Sequence, residues 1–174
     1  MAIDVFMSVG RTSTSAQEAF VSALSVYMKQ QGLNPRTVGR TDFSASRPLR
    51  LMKELMLQCA GTIVIAYERI YIQDGFEQRG SRFEKRLYRE SMPTVWNQIE
   101  AAMAYVLDQP LLVLAEPSMR QEGLLEAHYD WHMQQVDLTL AAIESPRFIA
   151  VFADWKKHVE AFNRMKEGKN DQND

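Results

Sequence analysis

The sequence predicts an α/β protein built on an open parallel sheet of about five strands with helices on both faces. Three observations carry this reading. Apolar, strand-like runs recur at 3–9, 61–67 and 111–115, with helical patterns between them. The run Gly61-Thr62-Ile63-Val64-Ile65-Ala66-Tyr67 is continuous and rich in β-branched residues, as a strand covered on both faces must be. The length of 174 residues suits one domain with a full core, read here as 1–167 with a polar tail at 168–174.

The elements follow in order. After the first strand, Gly10-Arg11-Thr12-Ser13-Thr14-Ser15 is a hydroxyl-rich loop, and Ser15 with Glu18 three residues on reads as a capping box. The helix behind it carries Phe20, Leu24, Tyr27 and Met28 on one face and stops at Gly32. A second strand is expected at 34–38, weakened by Pro35, then a polar loop at 39–48. A second helix at 49–58 turns Leu51, Leu55 and Met56 inward. Residues 72–92 break the rhythm, because Gly75, Gly80 and mixed charges predict an excursion from the core, either the least ordered internal stretch or a lid or interface arm. There Arg79, Arg82, Lys85, Arg86 and Arg89 stand against Glu77 and Glu84, which reads as a solvated face, a lid, a partner-docking arm or a contact to a polyanion. A third helix covers 94–105, and the strand at 111–115 leads through short elements to an edge-like strand at 132–138. A long amphipathic helix is expected at 146–165 with Pro146 in its first turn. Trp155 and Phe162 on it read as core or dimer packing, so a homo-oligomer stays open.

Composition narrows the function classes. The formal net charge of −2 provides no global field for DNA or anionic lipid. No run of apolar residues is long enough to span a membrane, and no basic segment precedes an apolar run as in a leader peptide. The single cysteine, Cys59, ends an apolar helical pattern and reads as a buried structural thiol, which fits a reducing cytoplasm. His128 and His132 have the spacing of helical metal ligands but lack the glutamate of a zinc protease motif, so neither a metal nor a cofactor is expected.

In open parallel sheets ligands bind beyond the carboxyl ends of the strands. That rule nominates the loops after Val9, Val38, Tyr67 and Ala115. Gly10, Arg11 and Thr12 offer donors for a phosphate or a ribose hydroxyl, against the plainer reading of a solvated turn. Tyr67, Glu68 and Arg69 are candidates by the same topology, against an ordinary strand cap. The sharpest candidate is Glu100. It shares a helical stripe with Trp96, Met103, Ala104 and Leu107, and a lone carboxylate on such a stripe is costly to bury unless it lines a cleft. The expectation is that Glu100 lies in the largest pocket, within reach of the loop after Val9, with its pKa raised.

These residues resemble a known superfamily. Val5-Phe6-Met7-Ser8, Cys59-Ala60-Gly61-Thr62-Ile63-Val64-Ile65, Trp96-Asn97-Gln98-Ile99-Glu100 and Leu111-Leu112-Val113-Leu114-Ala115-Glu116 are similar to pieces of nucleoside 2-deoxyribosyltransferases and of Toll/interleukin-1 receptor (TIR) domains. The resemblance covers roughly 3–130 and implies a flavodoxin-like fold acting on N-glycosidic bonds. It implies that Glu100 works on the ribose carbon bearing the base, as a nucleophile forming a glycosyl ester or as a stabiliser of oxocarbenium charge. It also implies that Ser8, Trp96, Asn97 and Glu116 bind substrate, that Phe43 stacks on a base and that Arg40 pairs with a phosphate. The chain departs from both patterns: Pro93-Thr94-Val95-Trp96 replaces the Asp-Gly dipeptide of the transferases, and Asn97 stands where TIR domains have a cysteine. The expected partner is a nucleoside, a nucleotide or NAD. The alternative is a binding module of the same fold for a nucleotide-derived signal, of the kind found in bacterial defence.

Overall fold

The computed structural model describes residues 2–43, 48–126 and 131–170. Five parallel strands form one sheet: β1 (Ile3–Val9), β2 (Leu33–Arg36), β3 (Thr62–Ala66), β6 (Leu111–Ala115) and β7 (His132–Gln135), in the order β2-β1-β3-β6-β7. This is the flavodoxin-like order expected from the alternation of elements, with the chain reversing its direction of travel at β1. Between β3 and the next helix the chain adds a two-stranded antiparallel ribbon, β4 (Ile70–Glu77) and β5 (Lys85–Met92).

Alternation along each strand divides the core in two. Val5 and Met7 of β1, Ile63 and Ile65 of β3, and Leu112 and Leu114 of β6 point to one face. There they meet Phe20, Leu24 and Met28 of α1 (Ser15–Gln30) and Phe148, Phe152, Trp155 and Val159 of α5 (Pro146–Asn170). Phe6, Val64, Ala66, Val113 and Ala115 point to the other face, against Met52, Leu55 and Met56 of α2 (Pro48–Gln58) and Ala101 and Ala104 of α3 (Val95–Val106). Sheet and α5 approach closely at Gly61, where a Cβ would sit 2.6 Å from Val159 Cγ2. The buried Gln109 ties the layers on the second face: its Oε1 accepts from Thr62 Oγ1, and its Nε2 donates to the carbonyls of Met56 and Cys59.

Several local expectations are corrected. The N-cap of α1 is Thr14, not Ser15, and the reciprocal partner is Gln17, whose amide oxygen accepts from the Thr14 backbone. Glu18 is thereby left for another bond. Pro35 lies within β2, which tolerates it as a sheet edge, and β2 ends at Arg36 rather than Val38. In α2 the buried apolar residue of the first turns is Met52, not Leu51. Residues 72–92 do leave the five-stranded sheet, but as a regular antiparallel ribbon, with Ile70 opposite Met92 and Glu77 opposite Lys85. Helix α5 runs through Gly168 to Asn170, beyond the expected start of the tail, while residues 171–174 lie outside the described ones. Trp155 packs on Phe152 and donates its indole N–H to the Pro110 carbonyl at 3.0 Å, so it belongs to the core. Cys59 is fully buried, and burial pushes its thiol up to about 12, which makes it inert. No described helix is long and apolar enough to cross a membrane.

Candidate functional site

The crevice between the carboxyl ends of β1 and β3 is where the strand order reverses. A cleft of about 300 Å³ lies there. Val9, Gly10 and Arg11 form one wall at the end of β1, and Val38 and Met52 form another. Arg69, just past β3, and Thr94 and Trp96 at the head of α3 complete the rim, with Glu100 one turn further along that helix.

Thr94 sets the direction of α3. Its side chain caps the first turn by accepting from the Trp96 N–H. The face that then meets the sheet is Asn97, Glu100, Ala101 and Ala104. The expected stripe was therefore rotated by about one residue, and Trp96 stands 43 % exposed over the mouth of the cleft. Asn97 is buried and donates from Nδ2 to Ser8 Oγ at 2.8 Å. The Ser8 hydroxyl, itself buried, favours the ionised form of the Glu100 carboxyl. Desolvation outweighs it: Glu100 is 8 % exposed among Val9, Val38 and Met52, and its pKa is raised from 4.5 to about 7.

The sequence candidates divide into three groups. Glu100, Gly10, Arg11 and Trp96 line the cleft. Ser8, Asn97 and Tyr67 lie behind it: the Tyr67 hydroxyl donates to the Gly10 carbonyl at 2.5 Å and so holds the loop that forms the wall. Burial pushes the Tyr67 phenol up to about 12, so it stays a donor at any ordinary pH.

The third group lies elsewhere. Arg40 grips Glu18 through two nitrogens, at 2.7 and 3.0 Å, and Thr12 donates to the same carboxylate at 2.6 Å. That triangle occupies Thr12 and Arg40, two of the groups expected to receive a phosphate. Phe43 is 76 % exposed and outside the cleft. Glu116 accepts from the Glu68 backbone N–H at 3.1 Å, tying the ends of β3 and β6 together.

Val38, Met52 and Thr94 were missed as wall residues, because only the packing of α2 and α3 brings them to the mouth. Arg69 was visible by position alone. Neither Arg11 nor Arg69 has a salt bridge among the described residues, so both guanidiniums at the rim are free.

One expectation about this cleft is wrong. It is not the largest cavity: one of about 600 Å³ opens at the opposite end of the sheet, between Tyr105, Pro110, Trp131, Trp155 and His158. His128 lies outside the described residues, His132 opens the edge strand β7, and among the described residues no cluster of metal-ligating side chains occurs.

No family model matches the chain, and no curated protein matches it. Among solved structures it is similar to the CMP N-glycosidase BcmB of Clostridium botulinum. The two align over 80 % of this chain and 92 % of that one, at 10 % identity and a TM-score of 0.51. At that identity the likeness establishes a shared α/β fold.

Proposed function

We propose that this chain cleaves the N-glycosidic bond of a nucleotide, using Glu100. The observation that carries the reading is one buried carboxylate on the floor of a cleft at the strand-order switch, with two guanidiniums at its rim that have no salt bridge among the described residues. The arrangement matches the charge a nucleotide presents. Breaking the bond between C1′ and the base develops positive charge on the sugar, and a carboxylate in a water-poor, apolar surround stabilises it far more than one in water. Arg11 and Arg69 receive the phosphate, as free guanidiniums do. Trp96 supplies an exposed ring over the mouth for the base or the sugar. Water then adds to C1′, giving free base and a ribose phosphate. The fold shared with a protein that acts on CMP supports the same substrate class.

Glu100 acts in the ionised form, so its raised pKa sets the working range. Base release should climb with pH through about 7 and level off above it. The test is chromatography of CMP, other nucleoside monophosphates, the matching nucleosides and NAD after incubation with wild type and Glu100→Gln. The reading expects free base from a monophosphate and a loss of about 10²–10³-fold in the variant. A wild type that binds nucleotide and releases no base is a sensor. A variant as active as wild type removes Glu100 from the chemistry.

A further inference from the structure

The first turn of α1 carries a buried amide that makes one bond more than its cap requires. Gln17 is 4 % exposed, and its Oε1 accepts from the Ser13 N–H at 2.8 Å, the Ser13 hydroxyl at 3.0 Å and the Thr14 N–H at 3.3 Å. Those bonds close the cap. Glutamate serves that position as well as glutamine does, because the cap needs only an acceptor there. A carboxylate has no N–H to donate. In this chain Gln17 Nε2 donates to the Glu68 carbonyl at 3.1 Å, which lies 51 residues along the sequence.

That bond has a counterpart. The Tyr67 hydroxyl donates to the Gly10 carbonyl. The loop after β1 and the segment after β3 are therefore joined twice, by Tyr67 to Gly10 and by Gln17 to Glu68. On its loop Arg11 lies between the points of attachment, with Gly10 on one side and Ser13 and Thr14 on the other. Arg69 directly follows Tyr67 and Glu68. Its own N–H donates to the Met92 carbonyl at 2.9 Å, and the Glu68 N–H donates to the Glu116 carboxylate at 3.1 Å. Both arginines line the same cleft. Two like charges repel, and backbone tied on both sides holds their separation against that repulsion.

We propose that Gln17, together with Tyr67, is a positioning residue for the phosphate subsite. Gln17 does not line the cleft; it sets the spacing between the two backbone segments that carry Arg11 and Arg69. This rests on the reading of those arginines as the partners of the phosphate. Its consequence is selectivity. A nucleoside monophosphate gains from a pair of guanidiniums already in place, and the matching nucleoside does not. A capping role alone has a different signature, a loss of stability with no preference between the two ligands.

The experiment is calorimetric titration of CMP and of cytidine into the full chain carrying Glu100→Gln, so that no ligand is consumed. Gln17→Leu, Gln17→Glu and Tyr67→Phe are added singly, and each again with Arg11→Ala and Arg69→Ala. Gln17→Glu keeps the acceptor of the cap and loses the donor, so it tests the bridge even if Gln17→Leu fails to fold. Each substitution should weaken CMP about tenfold, the order of one charge-assisted bond to phosphate, and leave cytidine unchanged. Without the two arginines the same substitutions should have no further effect on CMP, because nothing is left to position. A charge effect of Gln17→Glu alone would persist there. Equal losses for CMP and cytidine, unchanged CMP affinity, or losses that persist without the arginines overturn the proposal. If Arg11→Ala with Arg69→Ala leaves CMP affinity unchanged, the phosphate reading itself falls and the proposal with it.

Discussion

Replacing Glu100 by glutamine should stabilise the fold at alkaline pH while it removes the charge proposed for chemistry. In the unfolded chain the carboxyl ionises near 4.5, and in the folded chain near 7, because burial among Val9, Val38 and Met52 disfavours the ion. Below pH 4.5 both states hold the proton and the wild type has its full stability. As pH rises, the unfolded state loses the proton first, and stability falls until the folded group ionises as well near 7. The gap between 4.5 and about 7, at 1.36 kcal/mol per unit, is about 3 kcal/mol. Glutamine fits the same space, offers an acceptor to Ser8 and does not ionise. Glu100→Gln should therefore exceed the wild type by about 3 kcal/mol at pH 8, or roughly 6–12 °C in melting temperature for a chain of this length. The advantage should shrink to nothing by pH 4.5. Urea and thermal unfolding at both pH values measure it. A difference that does not change with pH, or a variant less stable than wild type at pH 8, would refute burial as the cause of the shift.

Three further outcomes follow from the geometry. Arg11→Ala and Arg69→Ala should each raise KM for a nucleoside monophosphate about tenfold, as the loss of one charge-assisted bond to phosphate implies, with little change for the corresponding nucleoside. Steady-state kinetics on the matched pair checks this, and equal losses on both substrates would count against a phosphate role. Ser8→Ala removes the one hydroxyl that favours ionised Glu100, so the rising limb of the pH–rate profile should move above 7. It should also cost about 1 kcal/mol, seen in urea titrations, because Asn97 Nδ2 loses its 2.8 Å bond to Ser8 Oγ and keeps the 3.5 Å contact to the Ser8 carbonyl. Gly61→Ala would place a methyl 2.6 Å from Val159 Cγ2 and 3.3 Å from the Pro110 carbonyl. A loss of about 1–3 kcal/mol should follow, and relief by Val159→Ala in the double variant would identify the clash.

The parallel sheet was legible because its strands are buried on both sides and read as plain apolar runs, Thr62–Ala66 and Leu111–Ala115 above all. Glu100 was legible for the same kind of reason, an acidic residue on an apolar helix. What could not be read was which neighbour wins a shared partner. Glu18 takes Arg40 and Thr12 because Gln17, not Glu18, closes the cap of α1, and capping preference alone does not separate adjacent residues. Trp96 outside and Asn97 inside reverse what hydrophobicity suggests, because Ser8 gives the buried amide a partner that a lone sequence does not display. The ribbon escaped notice because both of its strands are largely exposed, so no apolar alternation marks them.

The feet of that ribbon have a structural corollary. Arg69 N–H donates to the Met92 carbonyl at 2.9 Å, and Ile70 faces Met92 across the first rung. The crossover from β3 to α3 is thus sealed at its root, and the sheet experiences a connection only a few residues long. Beyond the root the strands still meet the body, through the Ser91 carbonyl, which accepts from the Arg120 N–H, and through Glu77, which pairs with the Arg120 guanidinium. Pruning or regrafting the turn around Gly80 should leave the cleft intact, which makes this arm the part of the molecule where lineage or design can vary length and recognition without renegotiating the core.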